Sequence, residues 1–288
     1  MFKYDLTFID MFGGIGGGSL GLERAGWKCV WYSDKFESCN IIYEKHYGDI
    51  KRDSRPIRQV DAKEVPDHTL LVAGFPCQSF SFAGERKGFE DKRGTLFFDI
   101  ARIAKVKRPA LLLLENVRGL LSTQKGYCFF YILQTLDGLG YDVEWQVLNS
   151  KYFGVPQSRP RTYIIGHLRT KPTRQIFPIG EDNSTYFPNE EDKEKRLILL
   201  SHTKANIKQR EQQRTDTWTL DTSSSKMGIY EGNRIRIFTP LERERLQGFP
   251  DGWTSGLSDT ERYKVLGNAM TVNVMEFLGK RLIECLNQ

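Results

Sequence analysis

Near the start of the chain, Thr7-Phe8-Ile9-Asp10-Met11-Phe12 sets apolar residues around a single charge, a pattern that predicts a strand. The glycine-rich run from Gly13 to Gly18 follows as a tight turn, and Leu20 to Ala25 reads as the helix after it. Cys29 to Ser33 forms a second predicted strand. Further apolar runs at Thr69 to Ala73, Leu111 to Leu114, Val143 to Leu148 and Thr162 to Ile165 read as buried parallel strands, with helix-like segments between them. Strands alternating with helices predict an α/β fold, a doubly wound, mostly parallel sheet of Rossmann type. Such a sheet binds its ligands beyond the carboxyl ends of the strands.

Beyond residue 168 the texture changes. Pro172, Pro178 and Pro188 punctuate a polar stretch, and the acidic Glu190-Glu191-Asp192 precedes scattered Lys204, Lys208, Arg210 and Arg214. A second, smaller domain is expected over residues 169–260, with 1–168 and 261–288 forming the larger one. Val274, Met275, Leu278, Leu282, Ile283 and Leu286 recur at helical spacing, so a terminal helix should pack back on the large domain. Thr239-Pro240-Leu241-Glu242 has the order of a capping box with proline in the first turn, and a structural role is expected of it.

Composition narrows the class. With 27% charged and 39% hydrophobic residues in 288, the chain can bury a substantial core, and no apolar stretch approaches the roughly 20 residues of a membrane span. Five scattered cysteines, an odd number without C-x-x-C spacing, argue against a disulfide framework and a zinc site, and for a reducing cytoplasm. No metal is expected. Lys and Arg outnumber Asp and Glu by 42 to 36, a net +6 that suits a polyanionic partner.

Candidate chemistry lies at strand ends. Glycines between a strand and a helix let a ligand approach backbone amides closely, and Asp34, after the second strand, can accept both ribose hydroxyls of an adenosine. Gly16, Gly18 and Gly21 also satisfy G-x-G-x-x-G, so these features alone fit NAD as well as S-adenosylmethionine. Gly74-Phe75-Pro76-Cys77-Gln78-Ser79-Phe80-Ser81 follows the strand ending at Ala73. Its proline and polar residues suggest an exposed loop, which makes Cys77 a nucleophile candidate where a lone cysteine would ordinarily be core. Glu115 follows the four-leucine strand onto the same sheet edge, where it reads either as a surface carboxylate or as one delivered to a cleft. In Gln157-Ser158-Arg159-Pro160-Arg161 the two arginines alternate along an extended segment and can share a face, as a solvated basic patch or as a grip on an anion or base.

Together these segments resemble the cytosine-5 DNA methyltransferase family, in that family's order. The resemblance runs from DMFGGIGGGSLGLERAG through GFPCQSFS, RGTLFFDIARI, ENVRGL and QSRPR to RIFTPLERERLQGFPDGW and YKVLGNAMTVNV, about two thirds of the chain. It leaves out residues from about 170 to 232, as suits a family whose target-recognition region varies. It implies that Cys77 adds to C6 of cytosine, that Glu115 holds N3 and the exocyclic amine, that Arg161 sits near O2, and that Arg159 orients Glu115 or a phosphate. The cofactor implied is S-adenosylmethionine, leaving as S-adenosylhomocysteine, held by Phe12, Gly13, Gly14, Ile15, Gly16, Asp34, Lys35, Ile57, Pro76, Leu96, Asn268 and Met270.

Two positions depart from the family pattern. Lys35 stands where an aromatic often packs on adenine, and Pro56 precedes Ile57 where an aspartate usually receives the adenine amino group. The partner implied is double-stranded DNA, contacted by Gln78, Ser79, Ser81, Arg159, Lys204, Lys208, Arg210 and Arg214, with the target base flipped out and the loop to about Arg93 closing over it. A monomer in the cytoplasm of a bacterium, archaeon or phage-infected cell is expected, with room for a cognate restriction endonuclease that forms no stable complex. Rival readings are cytosine-5 methylation of RNA, a non-catalytic DNA-binding protein of the same fold, and an NAD-dependent oxidoreductase. The family's transfer-RNA enzymes usually depart from the PCQ pattern that this chain keeps. Loss of the nucleophile or the glutamate would mark a non-catalytic protein, and both are present. Only the glycines favour the oxidoreductase.

Overall fold

The computed structural model describes residues 4–75, 96–171, 173–179, 197–201, 212–214, 227–231 and 234–287, with backbone only between 197 and 236. In chain order the strands and helices are β1 (Thr7–Met11), α1 (Gly17–Arg24), β2 (Lys28–Ser33), α2 (Glu37–Tyr47), β3 (Arg52–Asp53), β4 (Leu70–Gly74), α3 (Leu96–Lys107) and β5 (Leu111–Val117). They continue with α4 (Tyr127–Gly138), β6 (Tyr141–Asn149), β7 (Pro160–Leu168), β8 (Leu197–Ser201), β9 (Gln212–Arg214), β10 (Met227–Glu231), β11 (Arg234–Ile237), α5 (Pro240–Leu246), α6 (Asp259–Asn268) and α7 (Val272–Leu286).

Seven strands form the large sheet in the order β3-β2-β1-β4-β5-β7-β6. Strands β3, β2, β1, β4 and β5 pair in parallel, and their near-continuous apolar runs reflect burial on both faces. On one face, Phe97, Ile100 and Ile103 of α3 and Cys128 and Ile132 of α4 pack with Leu71, Leu112 and Leu114. On the other, Leu22 of α1 and Met275, Leu278 and Leu282 of α7 pack with Phe8, Leu70 and Leu111. The terminal helix therefore docks as its periodicity predicts, and Gly21 and Gly279 let α1 and α7 meet closely, since an added Cβ would lie 2.5 Å from the Val272 carbonyl and 2.7 Å from the Ala25 Cβ respectively.

The expectation of parallel pairing fails for the two strands farthest along the chain. Strand β7 pairs antiparallel with both β5 and β6. The reason is length: Asn149 and Pro160 are joined by a short connection with a single helical turn at Ser150–Tyr152, too little for the crossover that parallel neighbours require. Antiparallel pairing also carries β5 past Leu114 to Val117, so Glu115 lies inside the strand and not beyond it.

A buried ion pair braces this hairpin. His167 Nε2 lies 2.8 Å from Glu144 Oε1, and the Glu144 carboxylate also accepts from the backbone of Ile176 and Phe177, fastening the chain that leaves β7 onto β6. Burial opposes the charged imidazole, but hydrogen bonds with Cys285 and Glu144 outweigh it and lift His167 to about 9. A raised folded value means stability fully present below about 6.5, the unfolded value, and lost as pH rises through about 9. The difference in unfolding free energy between the parental protein and His167→Gln, from denaturant melts, should shrink by on the order of 2 kcal/mol between pH 6 and pH 10. A constant difference would show that His167 titrates alike in the folded and the unfolded protein.

A separate four-stranded sheet, β11-β10-β8-β9, is antiparallel throughout and lies in the region expected to form the smaller domain. The capping box forms as read: Thr239 Oγ1 accepts from the Glu242 amide at 3.2 Å, and Glu242 Oε2 from the Thr239 amide at 2.8 Å. Residues after β11 turn back to the large sheet's helices, with Phe249 and Trp253 in one apolar cluster with Ile15, Cys39, Ile42 and Leu266.

Candidate active site

The glycine-rich turn leaves β1 at the carboxyl edge of the sheet. Phe12 (φ 58°), Gly14 (φ 57°) and Gly16 (φ 83°) hold left-handed backbone, which is costly for Phe12 and free of side-chain conflict for the glycines. The Phe12 amide donates to the Ser33 carbonyl at 2.7 Å, tying the turn to the end of β2. Asp34, next in sequence, accepts from the Gly14 amide at 3.0 Å through Oδ2 and from the Phe36 amide at 2.9 Å through Oδ1. Burial raises its carboxyl above the usual range, opposed by these amides and the Lys35 charge. An added Cβ on Gly14 would meet nothing within 4 Å among the described residues, which leaves space over the turn beside a carboxylate, an arrangement that fits an adenosine-bearing ligand. Beneath the turn, Asp10 is wholly buried, accepts from Ser19 Oγ at 2.8 Å, and is pushed up to about 7, chiefly by burial.

The other described residues expected at the cofactor lie on several elements. Gly13 sits close against the Asp10 carboxyl and the Tyr32 ring. Ile15 and Ile57 are buried, Leu96 opens α3, and Lys35 lays its ammonium 5.1 Å from the centre of the Phe36 ring. Asn268, the last residue of α6, is exposed, whereas Met270 is buried with its backbone carbonyl against Gly17 and its side chain against Gly74. Pro76, Cys77, Gln78, Ser79 and Ser81 lie outside the described residues, as do Lys204, Lys208 and Arg210. Arg214 ends β9, where its backbone pairs with Leu197.

At the neighbouring strand ends, Gly74 is in register with Glu115, so the segment entering Cys77 starts beside that carboxylate. Arg161 pairs opposite Val117, two positions along the same face as Glu115, and the diagonal is closed by an ion pair of 3.0 Å between Arg161 Nε and Glu115 Oε1. Both side chains remain 13% exposed, enough to face a ligand. Arg159 is nearly inaccessible, with Nη2 donating to the carbonyls of Gly267 and Ala269 at 3.1 and 3.0 Å. It thereby links the arginine segment to the backbone around Asn268.

Sequence reasoning missed Asn116. Its Nδ2 donates to the Phe75 carbonyl at 2.9 Å, anchoring the chain one residue before Pro76. Adjacency to Glu115 was the available signal, but the partner lies 41 residues away. Among the described residues, no cluster of His, Cys, Asp and Glu could hold a metal ion, and no helix is long and apolar enough to cross a membrane.

A mixed α/β sheet of Rossmann type, with a glycine turn after β1 and a paired glutamate and arginine on β5 and β7, outlines a ligand site at the carboxyl ends of the parallel strands. Family comparison makes it specific: the profile of the C-5 cytosine-specific DNA methylases matches residues 6–227 and 183–284. Similar proteins include the Type II methyltransferase M.NgoBI of Neisseria gonorrhoeae, 38% identical, with 93% of this chain and 90% of that one aligned. M.SsoII of Shigella sonnei is 37% identical over 97% of this chain and 80% of its own. The chain belongs to the C-5 cytosine-specific DNA methylases and is a DNA (cytosine-5)-methyltransferase of restriction–modification type. The Dnmt2 methyltransferase of S. pombe has the same fold, with a TM-score of 0.72 at 20% identity over 98% of this chain and 99% of that one.

Proposed function

We propose that the protein transfers a methyl group from S-adenosylmethionine to C5 of a cytosine flipped out of a specific double-stranded DNA sequence, through a covalent adduct to Cys77. The observation that carries this reading is the Glu115–Arg161 pair, partly open to solvent and in register with the strand that leads into Cys77.

Cytosine C5 is a poor nucleophile until the ring's conjugation is broken. Cys77 thiolate adds to C6, forming an S–C6 bond and shifting the electrons of the 5,6 double bond onto C5. Glu115 accepts from the exocyclic amine and, as a carboxylic acid, gives a proton to N3 as the thiolate's negative charge moves onto the ring, taking it back when Cys77 leaves; Arg161 both orients Glu115 and faces O2. When bound, S-adenosylmethionine supplies the electrophilic methyl carbon on its sulfonium. A base then removes the C5 proton, the double bond re-forms, and Cys77 leaves as thiolate. The glycine turn and Asp34 hold the cofactor's methionine and ribose parts, with Ile57, Leu96, Asn268 and Met270 around them. Phe36, next to Lys35 and 47% exposed, offers an aromatic face beside Asp34 despite the family departure at position 35.

In this reading the reacting groups lie in residues 1–168 and 261–288, and site choice in residues 169–260, centred on the four-stranded sheet, with Phe249 and Trp253 packing back on the larger part. The protein acts as a monomer in the cytoplasm, independent of stable contact with any cognate endonuclease. Expression in a host lacking cytosine methylation, followed by mapping of 5-methylcytosine, should reveal one methylated site. DNA without new 5-methylcytosine would overturn the proposal. Alanine substitutions at Lys204, Lys208, Arg210 and Arg214 should divide in the same assay. Phosphate contacts weaken methylation of all sites with a shallower salt dependence, and base contacts cost about 1 to 3 kcal/mol and relax one base pair of the site. Unchanged site preference in all four would move recognition elsewhere.

A further inference from the structure

The indole Nε1 of Trp253 donates to the Ile15 carbonyl at 2.8 Å, across 238 residues of sequence. Ile15 stands between Gly14 and Gly16, both in left-handed backbone that glycine adopts easily and leaves as easily. On the sheet side the turn is held by Asp34, which takes the Gly14 amide, and by the Tyr32 hydroxyl, which donates to the Gly14 carbonyl at 2.7 Å. Trp253 grips the next carbonyl from a different element.

The tryptophan is itself firmly mounted. Its ring lies flat on His46, with centroids 3.6 Å apart and planes 4° from parallel, and its carbonyl lies 2.9 Å from His46 Nε2. The residues on either side are fixed by one carboxylate: Glu244 Oε2 accepts from the Gly252 amide at 2.7 Å, and Oε1 from the Thr254 amide at 2.8 Å. Glu244 is wholly buried, and Arg262 Nη2 balances its charge from 3.1 Å. A buried carboxylate so fully hydrogen-bonded is a rigid mount. It sits on α5, which starts at Pro240 just after β11 ends at Ile237.

We infer that Trp253 is a positioning residue for methyl transfer: its indole N–H holds the Ile15 carbonyl and keeps the glycine turn in the shape that receives S-adenosylmethionine. This rests on the cofactor reading above. The mount on Glu244 extends the brace from the end of the small sheet to the cofactor turn.

Trp253→Phe keeps an aromatic ring against His46 and Phe249 and removes the donor together with part of the indole's buried volume. The expected result is a KM for S-adenosylmethionine and a Kd for S-adenosylhomocysteine raised about fivefold to twentyfold, with kcat and the KM for DNA within about twofold of the parental values. A merely structural tryptophan would lower the melting temperature and the folded fraction without this split. A folded Trp253→Phe protein with parental cofactor KM overturns the inference. A measurement without substitution decides the matter if that variant fails to fold. In protein labelled with nitrogen-15 in its five tryptophans, the Trp253 indole signal, assigned through its contacts with His46, should move on adding S-adenosylhomocysteine. An unmoved signal at saturating ligand overturns the inference. Parental protein that binds neither sulfonium cofactor nor product would instead bring down the cofactor reading itself.

Discussion

Cys77→Ser is expected to abolish methyl transfer, by more than about a thousandfold, while cofactor and DNA binding stay close to parental. The exchange removes little volume. What it removes is a thiol, a group that ionises far more readily than the hydroxyl left in its place, and the proposed mechanism has no other step that breaks the cytosine ring's conjugation at C6. DNA carrying 5-fluorocytosine at the target separates this role from a packing role, because fluorine cannot leave C5 as a proton does. The parental protein should accumulate an adduct that survives denaturation, and Cys77→Ser should form none. Substantial turnover by the serine variant, or no adduct with active parental protein, would remove Cys77 from the mechanism.

Glu115→Gln should slow methylation by roughly a hundredfold or more, the range typical of lost acid–base or electrostatic assistance. Glutamine keeps the size of the side chain and its place on β5, but it lacks the carboxyl that pairs with Arg161 at 3.0 Å and that, in the proposed mechanism, gives a proton to N3. Affinity for S-adenosylhomocysteine should hardly change, since the glycine turn and Asp34 are held by bonds that do not involve Glu115. Single-turnover rates at saturating DNA and cofactor isolate the chemical step. Near-parental rates there would make the Glu115–Arg161 pair a structural feature of the strand edge.

Much of this site could be read before any coordinates, for a local reason. A glycine run between an apolar strand and a helix reports the conformation of its own backbone, and the left-handed Gly14 and Gly16 bear that out. The apolar spacing of α7 reports its buried stripe, and Thr239 and Glu242 cap each other within one helical turn. Glu115 and Arg161 were singled out by their places beside apolar strands, but their contact depends on β7 running antiparallel to β5, which apolar content does not encode. The apolar pattern carries the first strand to Phe12, but Phe12 holds left-handed backbone and belongs to the turn that the family resemblance assigns to the cofactor.

Periodicity and turn chemistry act between near neighbours, so the alternation of elements, the burial of the central strands and the chemistry at their carboxyl ends are legible along the chain. The packed fold is what supplied the anchoring of Phe75 by Asn116, the tie from Arg159 to the Gly267 and Ala269 carbonyls, and the hold of Trp253 on Ile15. Each of these is a directional bond to a partner distant in the chain. A pattern of apolar positions says that a residue will be buried, but only the packed fold brings one particular carbonyl within reach of one particular donor.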